Sequence, residues 1–174
     1  MGKQTTMNQM SGFTRQETIH LAGCTSSRLA YLEKVGLVIP ERFGNNGRPT
    51  VVFSWEQLLE IRAIKHLRRD VSLQTVRKII KFLDESGYDN SLRDKQLVVV
   101  GDEVFWMKQD WSDFSDRIPT TVKVAGKKNK EVGQYVLLVI PPLIDIVNDI
   151  WEAAKKSRVI DFKSFKQRAK VLPA

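Results

Sequence analysis

Phe13 to Ile39, FTRQETIHLAGCTSSRLAYLEKVGLVI, contains the start signals of two helices on either side of a single glycine. Thr14 followed three residues later by Glu17 is a capping box, in which the hydroxyl and the carboxylate each accept from an otherwise orphan amide. A first helix running to about Ala22 follows from it. Gly23 can take the positive φ that leaves a helix, and Thr25 or Ser26 can cap the next one. In that second helix Leu29 and Leu32 lie three apart and face inward, which leaves Ser26, Ser27, Arg28 and Tyr31 at its start and on its outer side. Two helices and a tight turn close many small α-helical cores. Presented outward, the second helix also fits the major groove of duplex DNA, about 12 Å wide, with its N-terminal residues nearest the base edges.

The sequel, KVGLVIPERFGNNGRPTVVFSWEQLLEI, reads as a short apolar strand, a Gly/Asn/Pro turn and a second strand over Thr50–Phe53. That is a β-hairpin wing. Its tip carries Arg42, Asn45, Asn46 and Arg48, donors suited to phosphate oxygens or a neighbouring minor groove, although a solvated loop carries similar residues. Ser54 with Gln57 repeats the capping-box spacing, and Leu58, Ile61, Ile64 and Leu67 trace an apolar stripe expected to pack on the head. Arg62, Lys65, Arg68 and Arg69 form a basic run that either touches DNA backbone or is merely solvated. Ser72 caps a further helix, with Val76, Ile79, Ile80 and Leu83 on its buried face and Ser86-Gly87 at its end.

Composition narrows the class. The 174 residues are 42% hydrophobic and 28% charged, which is ordinary for a folded chain. A formal charge of +8 and a pI near 9.7 imply attraction to polyanions, nucleic acid being the commonest. With Cys24 as its one cysteine the chain has no internal disulfide and no multi-cysteine metal site. No apolar run approaches the roughly 18 residues of a membrane span, and MGKQTTMNQMSG lacks the apolar core of a signal peptide, so the cytoplasm is the expected compartment.

The span Phe13 to Leu83 resembles the winged helix-turn-helix head of MerR-type transcription regulators. The family's run of aromatic, Thr, helix, turn Gly and a recognition helix ending Tyr-x-Glu-x-x-Gly-Leu is echoed by Phe13, Thr14, Gly23, Tyr31, Glu33, Gly36 and Leu37, and continues through FSWEQLLEIRAIKHLRR and SLQTVRKIIKFL. The resemblance implies a regulator that binds double-stranded DNA as a homodimer on a two-fold symmetric site. Thr14 and Arg15 then join Thr25, Ser26, Ser27, Arg28, Tyr31, Arg42, Asn45, Asn46 and Arg48 as candidate DNA contacts. Three features depart from the family. Ala30 stands where an Arg usually precedes the Tyr, the wing is long between Gly47 and Phe53, and Pro49 interrupts it.

From Asn90 the pattern turns to strands. LVVVGDEVFWMK has two β-rich runs around Gly101-Asp102, a two-residue hairpin signal. DWSDFSDRIPT is an acidic link, and VKVA and GQYVLLVI predict another strand pair around the Lys-rich tip GKKNKEVG. In PPLIDIVNDIWEAAKKSR, Leu143, Ile146, Val147, Ile150, Trp151 and Ala154 make a broad helical stripe that either covers the sheet or pairs with a second subunit. The expected organisation is α+β. A flexible arm over 1–12 precedes a winged helix-turn-helix domain with support helices over 13–86. A small antiparallel β unit with a C-terminal amphipathic helix follows over 90–156, and then a basic tail over 157–174.

Asn90-Ser91-Leu92, the Gly-Asp turn and Gly133-Gln134 are similar to the second half of VapB-type antitoxins, which implies an alternative role, neutralising a PIN-type ribonuclease toxin. Lys155, Lys156, Arg158, Lys163, Lys166, Arg168 and Lys170 face only Asp161 at the end of the chain, and such a segment can bind DNA or fold on a partner. Parts for catalysis are missing. GKKNKEVG is no phosphate loop, Asp110, Asp113 and Asp116 match no calcium loop, and no nucleophile has an evident base. His20 and His66 stand without a second ligand, so neither a metal nor a cofactor is expected.

Overall fold

The computed structural model describes residues 11–44, 47–100, 103–108, 120–125, 138–139 and 141–170. The elements run β1 (Phe13–Thr14), α1 (Arg15–Ala22), α2 (Ser26–Lys34), β2 (Glu41–Phe43), β3 (Thr50–Phe53), α3 (Trp55–Leu67) and α4 (Leu73–Glu85). After them come β4 (Leu97–Val100), β5 (Glu103–Lys108), β6 (Thr120–Ala125), β7 (Leu138–Val139), α5 (Leu143–Lys156) and α6 (Phe162–Arg168). The class is α+β, a helix-turn-helix followed by support helices, a small antiparallel sheet and a C-terminal amphipathic helix. The 1–10 part of the expected arm, Asn45, Asn46, Asp110, Asp113, Asp116 and the Lys-rich tip lie outside the described residues.

The opening signals act as their chemistry dictates. Glu17 N–H donates to Thr14 Oγ1 at 3.3 Å while Thr14 N–H donates to Glu17 Oε2 at 2.9 Å, so the capping box closes in both directions. Gly23 ends α1 in the left-handed region at φ 61, where any other residue would set its Cβ against the backbone. Of the two possible caps for α2, Thr25 is the one used, accepting from Arg28 N–H at 3.2 Å. Leu21, Ala22, Leu29 and Leu32 are buried and fix the inner faces of both helices.

The hairpin differs from the expectation in one strand. The apolar run Leu37–Ile39 does not pair. Gly36 turns at φ 74, and the N–H groups of Gly36, Leu37 and Val38 donate back to the Glu33 and Leu32 carbonyls that end α2. Their donors are therefore committed before a ladder can form, and Pro40 has none to give. Pairing starts at Glu41, which lies opposite Val52, and β3 also pairs with β1, Phe13 opposite Phe53. The three-stranded order is β1-β3-β2. Gly12 permits the close approach of β1. A Cβ there would lie 2.3 Å from Val52 Cγ1 and 2.7 Å from the Phe53 carbonyl oxygen.

The chain divides into two compact units, one combining residues up to Arg62 with those from Ile144 onward, the other spanning Ala63–Leu143. This division differs from the sequence grouping in that α5 clusters with the helix-turn-helix, not with the sheet, and α3 runs from one unit into the other. In the first unit Phe13, Trp55 and Phe165 meet with ring centroids 6.0–6.2 Å apart, and Trp151 lies 5.2 Å from Phe165. Ile146, Val147, Ile150, Trp151 and Ala154 are buried, so the α5 stripe is covered within the chain itself. The segment read as a basic tail contains α6. Asp161 caps it, accepting from Ser164 N–H at 2.8 Å, and Phe165 is fully buried among the aromatics. Apolar Phe162 and Phe165, three apart, supply the face that a purely basic tail would lack.

In the second unit the strand order is β6-β5-β4-β7. Val100 of β4 lies opposite Glu103 of β5 in an antiparallel pair, and the Gly101-Asp102 signal between them lies outside the described residues. The other expected strands do not pair with each other among the described residues: β6 joins β5 and β7 joins β4, on opposite edges of the sheet. Helix α4 lies against β6. Ser72 caps it, accepting from Thr75 N–H at 3.1 Å, and Val76, Ile79 and Leu83 are buried while Ile80 is half-buried. Lys95 is buried between Asp89 and Asp94, 3.5 Å from each, with the Trp106 ring 5.4 Å away. Two carboxylates and an aromatic face offset the desolvation of its ammonium.

Candidate nucleic-acid interface

Helix α2 offers its outer side to solvent. Ser26, Ser27 and Arg28 are exposed, as are Ala30 and Lys34, and Tyr31 keeps 45% of its surface accessible. Ser27, Arg28, Tyr31 and Lys34 fall at three- and four-residue spacings, so one face carries hydroxyl, guanidinium, phenol and ammonium together. Thr25 does not share that freedom. Its hydroxyl accepts the cap hydrogen bond and lies 3.2 Å from Ser27 Oγ. Arg28 has no ion pair among the described residues, and its donors face outward in the fork geometry that suits guanine or phosphate.

Glu33, on the same helix, is the organising group that site reasoning from the sequence missed. Its carboxylate pairs with Arg15 of α1 through one oxygen and lies 4.0 Å from Arg42 of β2 through the other. With only 11% of its side chain exposed, it ties first helix, second helix and hairpin at one point. Arg15 and Arg42 thus stand beside α2, at 36% and 62% exposure, with their positions set by a carboxylate. The signal in the sequence is faint, a lone acid on a helix otherwise bearing Arg and Lys. Exposed Phe43, next to Arg42, was also missed.

Thr14 is exposed at the start of α1, but its hydroxyl and N–H are both engaged in the capping box, so it positions Arg15 more than it offers donors. Arg48 is exposed on the far side of the hairpin tip. The described residues thus gather Arg15, Ser26, Ser27, Arg28, Tyr31 and Arg42 around α2.

The basic run on α3 is used differently. Arg62 donates to the Ala22 carbonyl at 3.2 Å and to Asp149 of α5 at 2.9 Å, with 15% of its side chain exposed. It holds the end of α1 to α3 and α5. Arg68 donates to the Val71 carbonyl at 3.1 Å.

At the start of the head, Arg168 of α6 donates to both Glu17 oxygens, at 2.7 and 2.9 Å, and to the Gly12 carbonyl at 3.0 Å. Burial alone would raise the Glu17 carboxyl, but hydrogen bonds from Arg168 and the Thr14 amide outweigh it and bring it below the usual value. Among the described residues no three His, Cys, Asp or Glu side chains are grouped to hold a metal ion, and no helix is long and apolar enough to cross a membrane.

No curated protein matches the chain. The family description "MerR HTH family regulatory protein" matches residues 13–83, from the first buried aromatic of β1 to the last buried leucine of α4. The capped helix pair, the turn glycine and the outward face of α2 all lie inside that span, so the similarity to MerR-type helix-turn-helix regulatory proteins is confined to residues 13–83.

Proposed function

We propose that the chain is a sequence-specific regulator that reads double-stranded DNA with α2 in the major groove and the β2–β3 hairpin as a wing against the backbone. The observation that carries this reading is the outward face of α2, where Arg28 and Tyr31 project beside Arg15 and Arg42 within a MerR-type domain. The capped N-terminus of α2 adds its dipole to that face. Ser26, Ser27, Arg28 and Tyr31 contact base edges, while Arg15, Arg42, Arg48 and the tip residues Asn45 and Asn46 contact phosphates or the adjacent minor groove. Thr14 and Thr25 act mainly as caps that orient them.

A homodimer on a two-fold symmetric site remains part of this proposal, supported by the helix-turn-helix docking geometry. Its interface is not the α5 stripe, whose apolar residues are already buried within one chain. The antitoxin alternative rests on the similarity of the second half alone. Co-purification of a ribonuclease with the chain would revive it.

Selection of duplexes from a random pool at stated salt, followed by gel shift with Arg28→Ala, tests the reading. Enrichment of one palindromic sequence and weaker binding by the variant are expected. Binding by the variant equal to that of the parent chain overturns the docking.

A further inference from the structure

The C-terminal helix α6 reaches the residue on which the head's first helix is built, so a side chain from outside residues 13–83 closes on one inside them. Arg168 Nη1 donates to the Gly12 carbonyl at 3.0 Å and to Glu17 Oε2 at 2.9 Å, Nη2 donates to Glu17 Oε1 at 2.7 Å, and Nε donates to the Ser164 carbonyl at 3.3 Å. Its guanidinium carbon stands 4.5 Å from the Phe13 ring centroid. Glu17 Oε2 is also the oxygen that accepts Thr14 N–H in the capping box. One carboxylate thus starts α1 and binds α6.

This is not an ordinary surface pair. Both side chains are 15% exposed, and the fork is held by α6, whose Phe165 is buried against Phe13 and Trp55. Lys170 repeats the connection at the start of α3, 3.0 Å from Glu56. Contacts to phosphate set the register of a helix-turn-helix on its duplex, and Arg15 is the residue that follows the capping Thr14. A guanidinium already donating four hydrogen bonds within the chain acts on DNA through that corner, not by touching it.

We propose that Arg168 is a positioning residue for duplex binding, fixing the β1–α1 corner through Glu17 and the Gly12 carbonyl so that α6 is a working part of the DNA-contacting head. The proposal rests on the DNA-binding reading above. It makes DNA affinity depend on a segment that begins 79 residues beyond the MerR-type span, because α6 begins at Phe162 and that span ends at Leu83.

The test uses the full chain with Arg168→Lys, which keeps the charge but not the two-pronged geometry, with Glu17→Gln, and with the two combined. All are assayed at a temperature where circular dichroism finds each variant folded. The probes are the duplex selected from the random pool and a scrambled duplex of equal length. Arg168→Lys is expected to weaken both by at least about fivefold, the lower end of ordinary coupling between sites. The slope of log affinity against log salt stays as in the parent, because no phosphate contact is removed. The double variant binds no worse than the weaker single one, and the amides of residues 14–17 exchange faster with solvent than in the parent. Parental affinity in Arg168→Lys, a slope reduced by about one, or unchanged exchange at residues 14–17 would each overturn the proposal. If the parent chain itself binds no duplex, the DNA-binding reading falls, and the exchange measurement still decides whether Arg168 holds the corner.

Discussion

Two basic regions of this chain look alike in sequence and are employed in opposite ways. Around α2 and the hairpin, Arg28 and Arg48 are exposed without an ion pair among the described residues, and Arg15 and Arg42 share the single carboxylate of Glu33. Along α5 and α6, Lys155 and Lys156 pair with Glu152, Arg168 with Glu17 and Lys170 with Glu56. The first region keeps a surplus of donors directed at solvent. The second has neutralised much of its charge against the chain's own acids, and its aromatics are folded into the head. A run of lysines and arginines is thus available to a polyanion only where acceptors within the fold leave it unclaimed.

The comparison breaks most visibly if Phe165 proves dispensable. Phe165→Ala should destabilise the first unit by about 3–5 kcal/mol, the usual cost of emptying a buried aromatic site, read as a lower midpoint in urea. A change below about 1 kcal/mol would mean that α6 is not integral to the core.

Arg28→Ala comes next. It should cost about 1–3 kcal/mol of specific duplex affinity and relax preference at one base pair, measured by titration at fixed salt. Arg48→Ala sharpens the same side of the comparison. It should weaken all duplexes alike and lower the salt slope by about one.

Acid tests the claimed cations of the other region. Glu17 has a lowered carboxyl in the folded chain, burial opposing but the Arg168 and Thr14 hydrogen bonds prevailing. Its contribution is therefore complete above the unfolded value near 4.5 and is lost as pH falls through the folded one. Stability of the first unit should drop in that acid range, and Glu17→Gln should flatten the drop. A parallel pH profile in parent and variant would show the pair to be inert. The smallest effect belongs to Lys155→Ala. Its pair with Glu152 is half exposed on both sides, so stability should move by less than about 0.5 kcal/mol and duplex affinity should not change.

Much of the fold was legible where the information is local. Thr14 with Glu17, Ser54 with Gln57 and Ser72 are caps whose partners lie three residues away, and each helix begins where they predict. The stripe Leu58, Ile61, Ile64 and Leu67 is buried as its spacing requires. The candidate site was legible to the same depth: α2 presents Ser26, Ser27, Arg28 and Tyr31 outward because Leu29 and Leu32 turn inward. Where β2 begins was not legible, because the Leu37 and Val38 amides complete α2 and no propensity records that commitment.

Residue order by itself determined the capped helix pair, the turn glycine and the outward face of α2, since caps, φ preferences and 3.6-residue periodicity act within a few residues. Only the tertiary structure decided that β6 and β7 take opposite edges, that the α5 stripe is covered by the chain's own fold, and that Arg168 closes on Glu17, 151 residues away. Those outcomes depend on which edges, apolar faces and carboxylates remain unpaired once the local elements exist. No window of sequence contains that competition.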